Sequence, residues 1–262
     1  MKLSVIVPAY NKDSEVFEVV SRIVHLLKTL TYDWEIIVVD DASRDHTLRE
    51  AVRSKKFNGS SDRIKIFSYN LNQGKGFALY FGFKKSQGDI VVFTDSDLDL
   101  PAENISTVLA YLEKNDAQIA IGSKRHSLSR VKYPLVRKIQ SKTYQLLIKT
   151  LFNLNLTDTQ VGIKAFDRKV LATCFPRIVV KQFAFDLELL VVAKNLGFEK
   201  IVETPVVLNY NFSSTINIKS IYKILVDTSA IFYRKYILHY YDQPTNVFEK
   251  EADIISTQKA YI

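Results

Sequence analysis

Between Asp89 and Pro101 the chain reads Asp-Ile-Val-Val-Phe-Thr-Asp-Ser-Asp-Leu-Asp-Leu-Pro, an apolar run that turns acidic at its end. Ile90 to Thr94 is short and rich in β-branched side chains, the composition of a strand buried in a parallel sheet. Asp95, Asp97 and Asp99 follow at alternate positions where that strand is expected to end. Pro101 stops the strand and can open a helix as its first residue. Carboxylates this close repel one another unless a cation sits among them. Hard oxygen ligands in a short acidic cluster suit Mg²⁺ or Mn²⁺, above all when substrate phosphates complete the shell. The same residues can also make a solvated acidic loop, so the choice falls to the other strands.

Those strands agree with one another. Leu3 to Val7 is a continuous apolar strand running into the turn-rich Pro8-Ala9-Tyr10-Asn11. Val16 to Leu30 carries apolar residues at helical spacing, with Asp13 or Ser14 placed as cap. Trp34 to Val39 is a second buried strand ending in Asp40-Asp41-Ala42-Ser43-Arg44-Asp45-His46-Thr47, and Ile64 to Tyr69 a third, after a Gly/Ser/Asp-rich connection. Asn72-Gln73-Gly74-Lys75-Gly76 leads into a helix from Phe77 to about Ser86. A helix over Ala102–Asn115 and a strand over Gln118–Gly122 follow. This alternation predicts an α/β fold: right-handed βαβ units in an open, Rossmann-like, mostly parallel sheet flanked by helices. Ligands of such sheets bind beyond the carboxyl ends of the strands. Three strands here end in polar or acidic residues, at Tyr10-Asn11, Asp40-Asp41 and Asp95-Ser96-Asp97, which favours a nucleotide-and-metal crevice over a structural acidic surface.

The chain's 262 residues, 47% hydrophobic and 24% charged, suffice for one large domain or one domain with an appendage. Cys174 is the only cysteine, which excludes an intramolecular disulfide, favours a reducing compartment and reads as a small buried hydrophobe. His25, His46, His126 and His239 lack metal-ligand spacing, which argues against a zinc site. Met1-Lys2-Leu3-Ser4 runs straight into a strand without a signal-peptide layout, so a cytoplasmic location is expected. The most apolar late stretch, Ile221 to Tyr241, is interrupted by Lys223, Asp227, Arg234 and Lys235 and does not read as a membrane span. A net charge of +8 then calls for an acidic partner.

From Ser123 to Thr150 the chain carries Lys124, Arg125, Arg130, Lys132, Arg137, Lys138, Lys142 and Lys149 without one acidic residue. Interleaved Leu135, Ile139, Tyr144, Leu147, Ile148 and Leu151 predict an amphipathic helix after Pro134. Such a face is either simply solvated or a surface for anionic headgroups or a phosphorylated acceptor. No DNA- or RNA-reading module accompanies the charge, so nucleic acid is not an expected partner. Residues 157–166 read as a polar turn entering a short strand, and Phe183 to Leu190 opens a helix with Asp186 and Glu188 near its amino end. There they either complement the helix dipole or serve a site. Glu203 to Val206 is a late strand, Ile218 to Tyr241 a broad-faced amphipathic helix, and the polar stretch from Asp242 is expected to be loosely ordered.

At this point the sequence resembles the family-two glycosyltransferases of GT-A fold, and within them the polyprenyl-phosphate hexose synthases, over roughly residues 2–240. The resemblance rests on Val-Pro-Ala-Tyr-Asn at 7–11, Asp-Asp-Ala-Ser-Arg-Asp at 40–45, Asn-Gln-Gly-Lys-Gly at 72–76 and Asp-Ser-Asp at 95–97. Asp-Thr-Gln-Val-Gly-Ile-Lys-Ala-Phe at 158–166 and Phe-Asp-Leu-Glu-Leu-Leu at 185–190 look most like the dolichyl-phosphate glucose synthase branch, with dolichyl-phosphate mannose synthases next. It implies a catalytic domain over 1–212, an amphipathic helical segment over 213–242 and a polar tail over 243–262. It further implies a sugar-nucleotide donor contacted by Pro8, Tyr10, Asp40, Asp41, Lys75, Ser96 and Lys124. Asp95 and Asp97 would hold Mg²⁺ or Mn²⁺ on the donor diphosphate, with Asp99 at a further ligand position. Lys12 departs from the glutamate usual after Tyr-Asn, and Glu15 is a possible substitute.

The expected reaction is inverting transfer of a hexose, from UDP-glucose first and GDP-mannose next, to a polyprenyl or dolichyl phosphate. The enzyme would sit peripherally on the cytoplasmic face of a membrane with an anionic surface. The leaving nucleoside diphosphate needs its growing charge neutralised by a divalent ion and nearby cations. A lipid phosphate is already ionised and needs cations more than a base, with Lys124, Arg125, Arg137 and Lys164 the candidates. If the acceptor is instead a saccharide or protein hydroxyl, a base is required and Asp186 is the candidate. Asp97, Arg137, Lys164 and Asp186 are thus the expected catalytic residues. A non-catalytic membrane-surface binder is the reading from another class, and the intact aspartate cluster counts against it.

Overall fold

The computed structural model describes residues 1–59, 62–131, 135–182, 184–209 and 218–256, and side chains over 1–59, 62–131, 142–182, 184–209 and 222–253. Its centre is a seven-stranded sheet in the order β3-β2-β1-β4-β6-β5-β7. The strands are β1 (Lys2–Ala9), β2 (Asp33–Asp40), β3 (Ile64–Ser68), β4 (Ile90–Phe93), β5 (Ile119–Ser123), β6 (Lys164–Asp167) and β7 (Ile201–Pro205). All neighbours pair in parallel except β6, which runs antiparallel to both β4 and β5. The sheet is therefore mostly parallel, as the βαβ alternation predicts.

Period-two alternation along these strands loads both faces. Leu3, Val5, Val7, Ile36, Val38, Ile90 and Val92 pack in one core cluster; Ile6, Ile37, Val39, Val91 and Phe93 pack in the other. Hydrophobic burial on two faces is what a central parallel strand requires, because helices cover each side. Helix α1 (Val16–Leu27) contributes Val16, Val19, Val20, Ile23, Val24 and Leu27, a stripe at the helical period. The structure starts this helix from Glu15, and neither Asp13 nor Ser14 caps it through a side chain. Helix α2 (Thr47–Phe57) was not among the expected elements: Leu48, Ala51 and Val52 fall at helical spacing and pack on the core, but this short stripe sits among Arg49, Glu50, Arg53, Lys55 and Lys56, and only Thr47, Ala51 and Ser54 are fully buried. Helices α3 (Lys75–Lys85) and α4 (Glu103–Lys114) follow the expected segments.

The carboxyl-terminal half adds α5 (Leu135–Phe152), α6 (Arg168–Cys174), α7 (Phe185–Asn195), α8 (Ile218–Tyr236) and α9 (Val247–Ser256). No helix among the described residues is long and apolar enough to cross a membrane. Two features of this half differ from the sequence expectation. Helix α8 stops at Tyr236 and not Tyr241, the chain then turning through His239 in the left-handed region. The stretch beyond Asp242, expected to be loose, contains α9, whose Phe248 is fully buried against Phe77 and Tyr80 with ring centroids 5.8 and 5.4 Å apart. One large aromatic side chain on a polar helix supplies the anchor that the average composition conceals.

Candidate active site

The antiparallel strand β6 explains how distant segments meet. Lys164, its first residue, pairs in register with Phe93, the last residue of β4. The turn that precedes β6 therefore lands beside Thr94 to Asp97. The end of β1 brings Pro8 to Lys12 to the same rim, the end of β2 brings Asp41, and the first residues of α3 and α7 bring Lys75 and Asp186. The result is an open cleft lined by Pro8, Tyr10, Lys12, Asp41, Lys75, Asp95, Ser96, Asp97 and Asp186, among others. It lies beyond the carboxyl ends of the parallel strands, where such sheets bind their ligands.

Charge in the cleft runs in a relay. Lys75 Nζ stands 2.6 Å from Asp95 Oδ1 and 3.8 Å from Asp186 Oδ2, and Lys164 Nζ stands 2.7 Å from Asp186 Oδ1. Burial works against ionisation of Asp95, but the charge and hydrogen bond of Lys75 outweigh it and hold the carboxyl below its ordinary value. Burial would likewise lower the Lys75 ammonium, yet Asp95 and Asp186 keep it raised. Asp97 has no such partner: none of the described residues donates it a hydrogen bond. Burial first, and the charge of Asp95 second, push its carboxyl up to about 6.

A cation is what this imbalance lacks. Asp95 and Asp97 face one cleft, and Asp97 carries lone pairs that no donor among the described residues uses. Yet among the described residues no three His, Cys, Asp or Glu side chains come together to hold a metal by themselves. The donor set thus fits a hard divalent ion that takes its remaining ligands from substrate phosphates. Asp99, expected as a third ligand, is not among the residues lining the cleft, although its charge reaches Asp97. The strand ends at Phe93, so the alternate spacing of the three aspartates is not carried out as an extended strand and they do not converge.

Other expected site residues have different duties. Lys164 is 1% exposed, donating to Val161 O at 2.6 Å and to Asp186, so it lies beneath the site and presents no face to an acceptor. Asp41 touches the cleft but spends its carboxylate on Tyr69 OH, Asn72 Nδ2 and the Gln73 and Gly74 amides, at 2.7–2.9 Å. It shapes the loop that delivers Lys75. Gly74 is needed there for its φ of +95° and for a Cβ position only 2.7 Å from Lys181 O. Asp40 is buried and accepts from Ser68 Oγ at 2.8 Å and the Ser43 amide at 3.2 Å, away from the cleft lining. Lys124, 3.6 Å from Asp158 Oδ2, opens onto an adjoining depression walled by Tyr144, Ile148 and Leu156, with Gln160 bordering both. Arg125 lies half-buried in the turn after Lys124. The Arg137 side chain lies outside the described residues, although its backbone is part of α5.

Glu188 separates from Asp186 in role. It is fully buried and accepts from the Val179 and Val180 amides, Tyr241 OH and Arg234, tying α7 to α8 and to the turn after it. Sequence reasoning passed over Glu203, whose Oε1 accepts from Thr157 and Asp158 and sets the turn ahead of β6. It also passed over Gln160, Gly162 and Gln182. The first two sit inside the 158–166 segment, whose polar turn was the available signal; Gln182 had none.

Residues 4–175 match the family model described as Glycosyl transferase family 2. A dolichyl-phosphate beta-glucosyltransferase of Dictyostelium discoideum is 31% identical over 206 residues, covering 74% of this chain and 63% of that protein. The Homo sapiens protein of the same name is 30% identical over 223 residues, covering 80% and 67%. The chain thus spans less than two thirds of the Dictyostelium relative. Among solved structures, mannosyl-3-phosphoglycerate synthase from Rubrobacter xylanophilus superposes with a TM-score of 0.69 at 19% identity, covering 93% of this chain and 76% of that one. Glucosyl-3-phosphoglycerate synthase from Mycobacterium tuberculosis, solved with Mn²⁺, UDP and phosphoglyceric acid, gives 0.68 at 19%, covering 88% and 77%. At such identities these structures speak for the fold alone, and that fold is GT-A. With well over half of its length under the family model, the chain belongs to glycosyl transferase family 2.

Proposed function

We propose that this protein transfers a hexose from a sugar nucleotide, UDP-glucose in preference to GDP-mannose, to a polyprenyl or dolichyl phosphate with inversion at the anomeric carbon. The observation that carries the reading is the convergence of Asp95 and Asp97 with Lys75 and Asp186 in one strand-end cleft. The names of the relatives support glucose and the dolichyl acceptor, and the UDP and Mn²⁺ found with a structural neighbour support the donor class and the ion.

An acceptor phosphate oxygen would attack the sugar carbon from the face opposite the nucleotide. The C–O bond to the donor diphosphate breaks, and its electron pair leaves on the diphosphate. A divalent ion, Mg²⁺ or Mn²⁺, would supply Lewis-acid neutralisation of that leaving group, held by Asp95 and Asp97. Lys75 fixes the Asp95 carboxylate, and Asp186 in turn orients Lys75. Asp186 already accepts from Lys164 at 2.7 Å and faces Lys75 at 3.8 Å, so its lone pairs are engaged by ammonium groups. That environment suits an electrostatic positioning group better than a proton acceptor, which favours an acceptor already ionised. The depression next to the cleft pairs the Lys124 ammonium with an apolar wall from α5, chemistry that fits a phosphate head on an isoprenoid tail.

The same acceptor implies a lipid surface. Tyr222, Leu225, Val226, Tyr233 and Tyr236 of α8 and Leu146 of α5 are exposed, with Lys142, Lys149 and Lys223 among the basic residues nearby in sequence. We take this face to lie on an anionic, cytoplasmic membrane surface, each basic residue adding about 1 kcal/mol at most. The deciding experiment offers radiolabelled UDP-glucose and GDP-mannose with polyprenyl phosphate, with and without chelator. Chelator-sensitive label in the lipid extract, greater from UDP-glucose, is expected. Label appearing only on a saccharide or protein hydroxyl would replace the lipid phosphate as acceptor.

A further inference from the structure

Lys12 lines the cleft together with Tyr10, Asp95, Ser96 and Asp97, yet the charge relay among Lys75, Asp186 and Lys164 does not include it. Its backbone is held firmly: the Lys12 amide donates to Thr47 Oγ1 at 2.6 Å, and Thr47 is fully buried. Its neighbour Asn11, at φ +52°, accepts from the Arg44 amide at 2.9 Å and donates its own amide to Ser43 Oγ at 3.0 Å. The side chain is held much less. Nζ rests 2.9 Å from Glu15 Oε1 in a pair whose members are 32% and 28% exposed. A partly exposed pair of this kind is worth only about 0–1 kcal/mol. Glu15 is fixed independently, because its Oε2 accepts from the Leu98 amide at 3.0 Å. The ammonium is therefore the movable member, on a flexible stem with three rotatable donors.

We propose that Lys12 is a ligand of the donor diphosphate, a cation built into the cleft wall that shares the charge neutralisation otherwise left to the divalent ion. The inference rests on the sugar-nucleotide reading and adds to it a residue and a sign. The residues lining the cleft include four aspartates, Asp41, Asp95, Asp97 and Asp186, against two lysines, Lys12 and Lys75. Lys75 is committed to Asp95. Among the described residues that line the cleft, Lys12 is the cation that can leave its present partner at little cost to meet an entering diphosphate. Its field already reaches both Asp95 and Asp97, favouring their charged forms. The effect on nucleotide and metal is then opposite in sign. Lys12 attracts the diphosphate directly, and it repels a bare divalent ion from the two carboxylates.

The test is equilibrium binding of UDP and of GDP to the full chain, in chelator and in saturating Mn²⁺, with binding of Mn²⁺ alone measured separately. Wild type, Lys12→Ala and Lys12→Arg are compared, and melting curves establish that each variant is folded. In chelator, Lys12→Ala is expected to weaken nucleotide binding about tenfold or more, the effect of losing one hydrogen bond to a charged group. Lys12→Arg should retain most of the affinity. Mn²⁺ alone should bind Lys12→Ala about twofold or more tighter than wild type, as relief of a short-range like-charge contact predicts. Wild-type nucleotide binding that is undetectable in chelator, or a Lys12→Ala affinity there within twofold of wild type, would overturn the inference. So would unchanged or weaker Mn²⁺ binding by Lys12→Ala. Wild type that binds neither nucleotide even with Mn²⁺ would instead bring down the sugar-nucleotide reading itself.

Discussion

Gly162 and Asp95 share one volume: a Cβ on the glycine would stand 1.8 Å from Asp95 Oδ2 and 2.2 Å from its Cγ. The carboxylate lies directly on the glycine's α-carbon, so the turn before β6 is the floor on which Asp95 rests. Gly162→Ala must displace either that floor or the carboxylate. Overpacking of this sort costs about 1–3 kcal/mol of stability, and the chemical consequence should be larger, since a misplacement of about 1 Å at a reacting site can cost about 100-fold. We expect Gly162→Ala to fold, to melt a few degrees lower, and to lose hexosyl transfer by about that factor. Unaltered transfer would show that the position of Asp95 is unimportant to turnover.

Asp97 gives the ligand-free protein a pH dependence of defined sign. Its carboxyl is pushed up to about 6 in the folded protein, from 3.8, by burial and by Asp95. Between those values the folded state holds a proton that the unfolded chain has released. Stability contributed by this group must then fall as pH rises through the window from 3.8 to about 6, and level off above it. Asp97→Asn removes the titration. Urea unfolding in chelator from pH 4 to 7 should show wild type losing ground to Asp97→Asn as pH increases; parallel curves would contradict the assignment.

The strand ends were legible because two physical signals coincide there. Continuous β-branched runs announce buried strands, and the polar residues that follow each run have to lie at the sheet's carboxyl edge, which is where Tyr10, Asp41, Asp95 and Asp97 are found. The direction of β6 was not legible. Lys-Ala-Phe-Asp reads the same whether it pairs parallel or antiparallel, and only the pairing with Phe93 places Gly162 on Asp95 and Lys164 under Asp186. Lysine counts also mislead by themselves: Lys164 and Lys124 looked alike in sequence, yet one is sealed beneath a carboxylate and the other faces a depression. Helix α2 went unread because its apolar stripe, Leu48, Ala51 and Val52, is short, only partly buried and set among charged residues.

Burial of Lys164 leads to a third expectation. Its ammonium is compensated by Asp186 and by Val161 O, with 1% exposure. Removing one member of a buried pair costs about 3–5 kcal/mol, because the other charge is stranded. The nearby Lys75 softens the loss for Lys164→Met, so the lower end of that range applies. The double variant Lys164→Met with Asp186→Leu should recover much of the stability and none of the activity. Chemical denaturation of the two single variants and the double one completes the cycle. A Lys164→Met protein of wild-type stability that has lost only acceptor affinity would restore Lys164 as an acceptor contact.

The last expectation concerns α9, which composition alone marks as a polar tail. Phe248 is fully buried in the aromatic cluster around Phe77, Tyr80 and Phe175. Two ion pairs hold the helix beside it, Lys84 with Glu249 at 3.1 Å and Lys181 with Glu251 at 2.7 Å. Lys181 also donates to Gln73 Oε1 at 3.0 Å, and its carbonyl accepts from the Gly76 amide at 2.7 Å. Docking of α9 therefore braces the loop that presents Lys75 to the cleft. Phe248→Ala should cost about 3–5 kcal/mol, the range for a buried phenylalanine, whereas losing the half-exposed Lys84–Glu249 pair should cost under about 1 kcal/mol. Because Phe77 lies within one turn of Lys75, nucleotide affinity should drop in Phe248→Ala and hold in Glu249→Gln. Urea midpoints and UDP titrations of the two variants make the comparison. A Phe248→Ala protein indistinguishable from wild type in both would mean that the helix contributes nothing to the core or to the donor loop.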